Sequence, residues 1–182
     1  GISGEGKAMG VRVALLRGVN VSGAGKLPMA EFRAMLAGLG LGAVRTYIQS
    51  GNAVFDSDLG VGVLEAMIRA AVAARFGFAP ETFVLTAEEI AAALTDHPFA
   101  GAEPKLVHVV FLRETPAPDE AALRALALPG EGWHIGSRRF TLHTPGGFGT
   151  SKLAERLPRL LPAPMTARNL RTVAELDRMA RR

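Results

Sequence analysis

The residues best suited to chemistry are concentrated in one glycine-rich segment near the start of the chain, RGVNVSGAGK. Its functional side chains are Arg17, Asn20 and Lys26, and Gly18, Gly23 and Gly25 separate them. Glycines leave backbone N–H groups accessible to an anion, and Lys26 lies just before a predicted helix start, where the helix dipole also favours negative charge. A Walker A loop would need Gly at position 20 and Ser or Thr at position 27. The segment therefore predicts an anion-binding loop that is not of the Walker type.

A second group of recognition side chains lies in the segment YIQSGN, where Tyr47, Gln49 and Asn52 surround turn residues. In the element order derived below, the first two strands run parallel, so the loop after the first and the turn after the second emerge at one sheet edge. We therefore predict one ligand-binding site made of Arg17, Asn20, Lys26, Tyr47, Gln49 and Asn52. The structural alternative is that the glycines only turn the loop, Asn20 caps it and Tyr47 is half-buried in a strand.

Neither segment contains a histidine or a carboxylate that could act as a general base. Tyr47 and Lys26 are the titratable side chains that could act as acid or nucleophile beside Arg17. The sequence thus favours binding of a small anionic metabolite or nucleotide over catalysis. An enzyme of unknown class that uses Tyr47 or Lys26 stays an alternative.

A second glycine-rich segment, TPGGFGTSK, occurs late in the chain and precedes a predicted helix. We predict a secondary anion site formed by Ser151 and Lys152 of this segment with Arg168 and Arg171, which follow the last predicted strand. The alternatives are that Ser151 simply caps the helix and that Arg168 pairs with a carboxylate elsewhere.

Composition restricts the remaining chemistry. The chain has no cysteine, which excludes disulfides, thiolate zinc sites, iron–sulfur clusters and a cysteine nucleophile. Its four histidines, His97, His108, His134 and His143, have no metal-ligand spacing. We predict neither a metal nor a cofactor.

Charge is distributed unevenly along the chain. The segment from Arg138 to Arg182 has ten basic and three acidic residues, a net charge of +7, whereas the whole chain carries +4, so the remainder is −3. A basic end predicts an anionic partner, which keeps a nucleic-acid-binding module open as an alternative. Aromatic residues make up only 6% of the chain, which argues against bases stacking on an open sheet. A solvated helical face would explain the charges equally well.

No apolar run reaches the length that spans a bilayer, and the opening lacks the layout of a signal peptide. The sequence therefore predicts a cytoplasmic protein without a membrane partner and leaves the oligomeric state open. Residues 1–8 carry only one large apolar side chain, Ile2, and precede Met9, so we interpret them as an expression remnant.

Periodicity predicts the element order β-α-β-β-α-β-α, and then the same order again. The first set has strands at Val11–Leu16, Val44–Ile48, Ala53–Phe55 and Phe83–Leu85, with helices starting near Pro28, Val61 and Thr86. The second set has strands at Leu106–Leu112, Trp133–Ile135, Arg139–Leu142 and near Met165, with helices at Asp119–Leu126, Ser151–Leu157 and near the end of the chain.

This order predicts an α+β fold of two tandem ferredoxin-like repeats, each βαββαβ plus a helix, with antiparallel sheets. The predicted domains are residues 9–97 and 105–182, joined by a linker at 98–104. A single α+β domain whose halves resemble each other by chance is the alternative.

Direct matches between the halves support the duplication. Val13 aligns with Val109 at an offset of 96, Ile48 and Ser50 with Ile135 and Ser137 at 87, and Thr86 and Glu89 with Thr172 and Glu175 at 86. In the first half Thr86 and Glu89 have the spacing of a capping box.

The run ALLRGVNVSGAGKLPMAEFRAML followed by RTYIQSGNAVF resembles a bacterial family described as domain of unknown function 1697, and the later SKLAERL and MTARNLRTVAEL fit it too. The resemblance spans nearly the whole chain from Met9. It implies a two-domain ferredoxin-like fold and cytoplasmic residence, and it supplies no activity.

Overall fold

The computed structural model describes residues 10–181, so the predicted remnant at residues 1–8 lies outside the described part. This part is an α+β structure with two four-stranded antiparallel sheets and seven α-helices. It divides into two compact units. Unit 1 comprises the residues up to Ala91 with those from Leu176 on, and unit 2 comprises Ala92–Glu175. The predicted boundary at 98–104 stays a prediction.

The first sheet has the strand order β2-β3-β1-β4. Its strands are β1 (Gly10–Leu16), β2 (Gly42–Tyr47), β3 (Asn52–Ser57) and β4 (Thr82–Thr86). The helices that follow in this half of the chain are α1 (Met29–Gly38), α2 (Val61–Phe76) and α3 (Ala87–Thr95).

The second sheet has the corresponding order β6-β7-β5-β8. Its strands are β5 (Val107–Leu112), β6 (Gly132–Gly136), β7 (Arg139–His143) and β8 (Met165–Asn169). The helices are α4 (Glu120–Leu126), α5 (Lys152–Glu155), α6 (Leu157–Leu160) and α7 (Leu170–Arg181), with 3-10 turns at Pro104–Leu106 and Phe148–Thr150.

In unit 1, α1 and α2 cover one face of the sheet. Leu64, Ile68 and Val72 recur every four residues along α2 and are fully buried against strand residues such as Phe55. Full burial of each such side chain contributes about 1.5–3 kcal/mol, which explains why this stripe fixes the helix to the sheet.

In unit 2, the corresponding face of the sheet carries Val110, Phe140 and Leu142, packed with Leu123 of α4 and Leu153 of α5. Directly opposed residues of antiparallel strands share a face, and Val109 is opposed to both Thr141 and Arg168. These three side chains therefore lie on the other face, and all three are buried.

The single helix predicted for Ser151–Leu157 is wrong, because the structure has two short helices, α5 and α6, that meet at Arg156. Pro158 lies in the first turn of α6. Proline lacks the N–H that would continue the ladder and is tolerated only in a first turn, so a new helix starts before it.

Strand registers correct the predicted alignment of the two turns. Tyr47 is opposed to Asn52 in the first sheet, and Gly136 is opposed to Arg139 in the second. The β2–β3 turn therefore has four residues, 48–51, whereas the β6–β7 turn has two. The predicted equivalence of Ile48 with Ile135 is wrong by two positions, since Thr46 occupies the place of Ile135.

The capping box predicted at Thr86 is confirmed: Glu89 N donates to Thr86 Oγ1 at 3.1 Å, and Thr86 N donates to Glu89 Oε1 at 2.9 Å. The predicted alignment of Thr86 and Glu89 with Thr172 and Glu175 is wrong. Thr172 N instead donates to Asn169 Oδ1 at 3.0 Å, so Asn169 caps α7 three residues earlier.

Strand β2 contains a bulge. Gly42 is opposed to Asp56 and Arg45 to Val54, so the two residues between them on β2 face a single residue on β3, and Ala43 has φ 48°.

Within residues 10–181, no helix combines the length and the apolar character needed to span a bilayer.

Candidate functional site

The β1–α1 loop, residues 17–28, is an ordered loop built on left-handed backbone. Val21 and Ala24 exchange two backbone hydrogen bonds of 2.8 and 3.2 Å. Between them Ser22 and Gly23 have φ 49° and 78°, which is the type I′ geometry of a two-residue hairpin. A Cβ on Gly25 would lie 2.5 Å from the Gly18 carbonyl oxygen, so this position requires glycine.

Asn20 joins this loop to the β2–β3 turn. Its Nδ2 donates to the carbonyl oxygens of Leu27 at 2.9 Å and Gln49 at 2.8 Å, and its Oδ1 accepts from Leu27 N at 2.8 Å. Both amide protons of Asn20 are thereby used. This side chain therefore links the two predicted ligand segments, and the backbone of Asn20 has φ 55°.

The β2–β3 turn approaches the loop closely. A Cβ on Gly51 would lie 2.7 Å from Val19 Cγ2 and 3.0 Å from Leu16 Cβ, and Gly51 has φ 83°. The Gly51 carbonyl oxygen also accepts from Leu16 N at 2.9 Å. Glycine is therefore required here both for the backbone conformation and for the contact.

Asn52 is not placed to contact a ligand. Its side chain is fully buried, and its Nδ2 donates to the Tyr47 carbonyl at 3.0 Å and to Ser50 Oγ at 2.8 Å. The predicted binding role of Asn52 is corrected to one of shaping the turn. The Asn20 side chain is likewise bonded to backbone groups of the loop and the turn, in agreement with the structural alternative for that residue.

The two cations of the predicted site are exposed at this edge. Neither the Arg17 guanidinium nor the Lys26 ammonium has a hydrogen-bond or ion-pair partner among residues 10–181. The Arg17 main chain is nonetheless anchored, because its N–H donates to the Glu81 carbonyl at 2.9 Å.

Two neutral side chains complete the group. Gln49 is exposed, and its Oε1 lies 3.5 Å from Asn20 Nδ2. Tyr47 is half-buried at the end of β2, and its hydroxyl has no hydrogen-bond partner within the described residues. Arg17, Lys26, Tyr47 and Gln49 thus keep the accessibility that recognition requires.

Sequence reasoning missed two exposed apolar side chains at this edge, Val21 at 55% and Ile48 at 51% exposed. Ile48 also has φ 49°, a conformation that is rare for a β-branched residue. No signal in the sequence indicates this, because isoleucine predicts a strand at the position where the structure has a turn.

The second predicted site is only partly assembled. Ser151 is buried, and its Oγ accepts from Ala154 N at 3.1 Å, so it caps α5 as the structural alternative had it. Arg168 and Phe148 are on opposite sides of the second sheet, because Phe148 packs with the core on the other face. The Arg168 Nη1 donates to Thr166 Oγ1 at 2.7 Å and to the Ala167 carbonyl at 2.9 Å. Burial lowers the pKa of the Arg168 guanidinium to about 10, which leaves it charged at neutral pH.

Lys152 and Arg171 are exposed, and Lys152 lines a cavity of about 310 Å³ beside the segment Thr144–Lys152. Arg171 is not among the residues that line this cavity. The four residues of the predicted second site therefore do not form one cluster, and of them only Ser151 and Lys152 line the cavity.

His108 was not selected from the sequence, although the structure gives it a distinctive environment. Its ring stacks on Phe148 with 4.1 Å between ring centroids, and its Nδ1 is buried without a partner among the described residues. Burial lowers the pKa of His108 to about 4, so it is neutral at pH 7.

Three of the ten basic residues of the last segment are paired or buried within their own unit. Arg139 pairs with Asp96, Arg181 pairs with Asp177 at 3.1 Å, and Arg168 is buried. Across residues 10–181, no group of three or more His, Asp or Glu side chains is arranged to hold a metal ion.

Comparison with known proteins bears on the predicted resemblance. The chain is similar to the solved structure of the conserved bacterial protein SP0830 from Streptococcus pneumoniae, with 26% identity and a TM-score of 0.73 over 95% of this chain and 99% of that one. None of the curated proteins compared with the chain matches it. The family model described as "Protein of unknown function (DUF1697)" matches residues 9–140, more than two thirds of the sequence. The resemblance is thereby confirmed, and the chain belongs to the DUF1697 family of proteins of unknown function.

Proposed function

We propose that the protein binds a small anionic metabolite or nucleotide, bearing phosphate or carboxylate, at the edge formed by the β1–α1 loop and the β2–β3 turn. The observation that carries the proposal is the Asn20 clamp between these segments, beside which Arg17 and Lys26 stay exposed and unpaired. A structural role alone would account for the clamp but not for two cations without partners on one ordered loop.

The rigidity of the loop supports binding. Backbone hydrogen bonds hold the conformation of the β1–α1 loop. Five of its residues have positive φ, namely Gly18, Asn20, Ser22, Gly23 and Gly25. A loop that is already ordered loses little conformational entropy when a ligand binds, so more of the interaction energy appears as affinity.

The neutral side chains suit recognition of the rest of the ligand. Gln49 and Tyr47 can each donate and accept hydrogen bonds, and Arg17 can bind a carboxylate or phosphate through two parallel bonds. The two segments contain no histidine or carboxylate that could act as a general base. Binding without turnover is therefore the reading that these groups support best.

The test is a binding titration of the full chain with inorganic phosphate, a nucleoside triphosphate panel and a sugar-phosphate panel. We expect Arg17→Ala and Lys26→Ala each to weaken the best probe about tenfold, the usual loss for one charge-assisted contact. The matched control is Lys105→Ala, which removes an exposed lysine of unit 2. Binding of no probe, or equal binding by all three variants, would refute the proposal.

The same samples separate the alternatives. Tight binding of polynucleotide that weakens steeply with salt, with no small anion bound, would identify a nucleic-acid module instead. Turnover of a bound probe that is lost in Tyr47→Phe but kept in Lys105→Ala would identify an enzyme.

We also infer that the two halves descend from one duplicated ferredoxin-like unit. The shared strand order and the equivalent positions of Val13 and Val109 support this, because both are opposed to the third and fourth strands of their own sheet. An experimental structure in which the two sheets do not superpose over these strands would contradict it. Cytoplasmic residence stays a prediction that cell fractionation can test.

A further inference from the structure

Unit 2 contains a cavity that the proposed function does not use. Its volume is about 310 Å³, at the lower end of the range for small-molecule sites. It is lined by Phe148, Gly149, Thr150, Ser151, Lys152, Ala154 and Glu155. All of these residues belong to one continuous segment, the 3-10 turn and α5, so the cavity is formed within unit 2.

The segment that forms the cavity is held rigidly. Thr150 Oγ1 donates to the Gly146 carbonyl at 2.9 Å, and Ser151 caps α5 through Ala154 N. The backbone N–H of Thr144 donates to the Leu106 carbonyl at 2.9 Å, which attaches the start of the segment to the neighbouring chain. The hydroxyl of Thr150 is thus occupied in shaping the wall.

The apolar wall is Phe148, and it is supported from behind. Phe148 stacks on His108 and packs against the core of unit 2. A flat ring fixed in this way offers apolar surface to a ligand without having to be ordered when the ligand binds.

The polar wall carries one charge of each sign. Lys152 and Glu155 are three residues apart on α5, so their Cβ atoms are neighbours at roughly 5–6 Å. Both are exposed, and neither forms an ion pair or a side-chain hydrogen bond with any residue from 10 to 181, including each other. One molecule in the cavity can therefore meet both charges.

We propose that this cavity binds a small zwitterion, with its carboxylate on Lys152, its ammonium on Glu155 and its apolar part against Phe148. A simple anion would leave Glu155 as a repelling neighbour, and a simple cation would do the same for Lys152. The opposed charges therefore select molecules that carry both. The site is independent of the edge formed by Arg17 and Lys26.

The experiment follows backbone amide resonances of the full chain while three probes of one shape are titrated. L-phenylalanine carries both charges, phenylacetate only the carboxylate and phenethylamine only the ammonium. We expect shifts confined to residues 148–155, with L-phenylalanine bound at least about tenfold more tightly than either analogue.

Variants divide the contributions. Lys152→Ala should weaken binding of L-phenylalanine about tenfold and leave phenethylamine bound equally well or better. Glu155→Gln should also weaken binding of L-phenylalanine about tenfold, but it should leave phenylacetate bound equally well or better. Arg159→Ala is the matched control, because this exposed cation of α6 does not line the cavity. An overturning result would be the absence of shifts at residues 148–155 at millimolar probe, or phenylacetate binding as well as L-phenylalanine.

Discussion

Replacement of Gly51 by alanine tests the close approach between the β2–β3 turn and the β1–α1 loop. Gly77 offers a matched control, because both glycines have φ 83° and nothing within 4 Å would meet a Cβ on Gly77. At Gly51 the new Cβ would lie 2.7 Å from Val19 Cγ2 and 3.0 Å from Leu16 Cβ. The two substitutions therefore share the backbone strain and differ in the steric contact.

The magnitudes follow from these two terms. An L-residue in the left-handed region costs about 1–2 kcal/mol, and the reduced entropy of the unfolded chain returns about 0.4–1 kcal/mol. We therefore expect Gly77→Ala to lower the free energy of unfolding by about 1 kcal/mol. Gly51→Ala adds overpacking of about 1–3 kcal/mol and should lower it by about 2–4 kcal/mol.

The assay is denaturant unfolding followed by far-ultraviolet circular dichroism, with the fluorescence of Trp133 as a separate report on unit 2. Val19→Ala combined with Gly51→Ala should recover part of the loss, because it removes the nearest atom, and a double-mutant cycle measures this coupling. Equal losses for Gly51→Ala and Gly77→Ala, or a cycle with no coupling, would show that the contact carries no energy.

The remaining predictions concern three polar side chains. Asn20→Ala leaves the N–H of the buried Leu27 without its acceptor and should lower the free energy of unfolding by about 2–3 kcal/mol in denaturant titrations. His108 has a pKa of about 4 when folded against about 6.5 unfolded, so the unfolded chain binds more protons between these values and stability falls as the pH drops from 6.5 to 4. Discounted for the partial exposure of the ring, the fall from pH 7 to pH 5 should be about 1 kcal/mol and should vanish in His108→Gln. Asp96→Ala leaves the guanidinium of Arg139, whose side chain is 8% exposed, without its carboxylate and should cost about 2 kcal/mol, less than a fully buried pair because Asp96 is half exposed.

Controls for these predictions are available in the same chain. Asn20→Asp keeps the acceptor for Leu27 N but sets a carboxylate oxygen against the carbonyl oxygens of Leu27 and Gln49, so it should be no more stable than Asn20→Ala. A pH dependence that persists unchanged in His108→Gln would assign it to other groups. An Asp96→Ala variant as stable as wild type would mean that solvent replaces the carboxylate at Arg139.

The sequence could predict which segments meet at the first site, and the reason is topological. Strands β1 and β2 are both antiparallel to β3, so the loop after one and the turn after the other must share an edge. The contact of Asn20 with Gln49 follows from that geometry. What could not be predicted is that Asn52 is buried, because asparagine is favoured in turns and its residue type alone does not give the burial of its side chain.

The errors in the internal alignment arose where short motifs recur by chance. Ile-x-Ser occurs in both hairpins, yet the turns differ in length by two residues, so pairing Ile48 with Ile135 aligned a turn residue with a strand residue. Thr-x-x-Glu recurs at Thr172, but Asn169 precedes it and caps the helix equally well. Strand register settles the hairpin case because it pairs each strand residue beside the two turns with a defined residue of the neighbouring strand.

The cavity of unit 2 has no counterpart in the sequence patterns, although its glycine-rich segment was recognised. Its apolar wall, Phe148, stacks on His108, which lies forty positions earlier in the chain. Hydrophobic periodicity does not indicate a contact between residues so far apart.

The bulge in β2 has a consequence for how the protein behaves at high concentration. Strand β2 is an edge of its sheet, and an edge strand presents N–H and carbonyl groups to which a foreign strand can add. Because the bulge interrupts the regular alternation at Ala43, only the short stretch from Arg45 to Tyr47 keeps a flat ladder. A foreign strand therefore finds few consecutive hydrogen-bond partners on the free side of β2, which disfavours polymerisation through this strand.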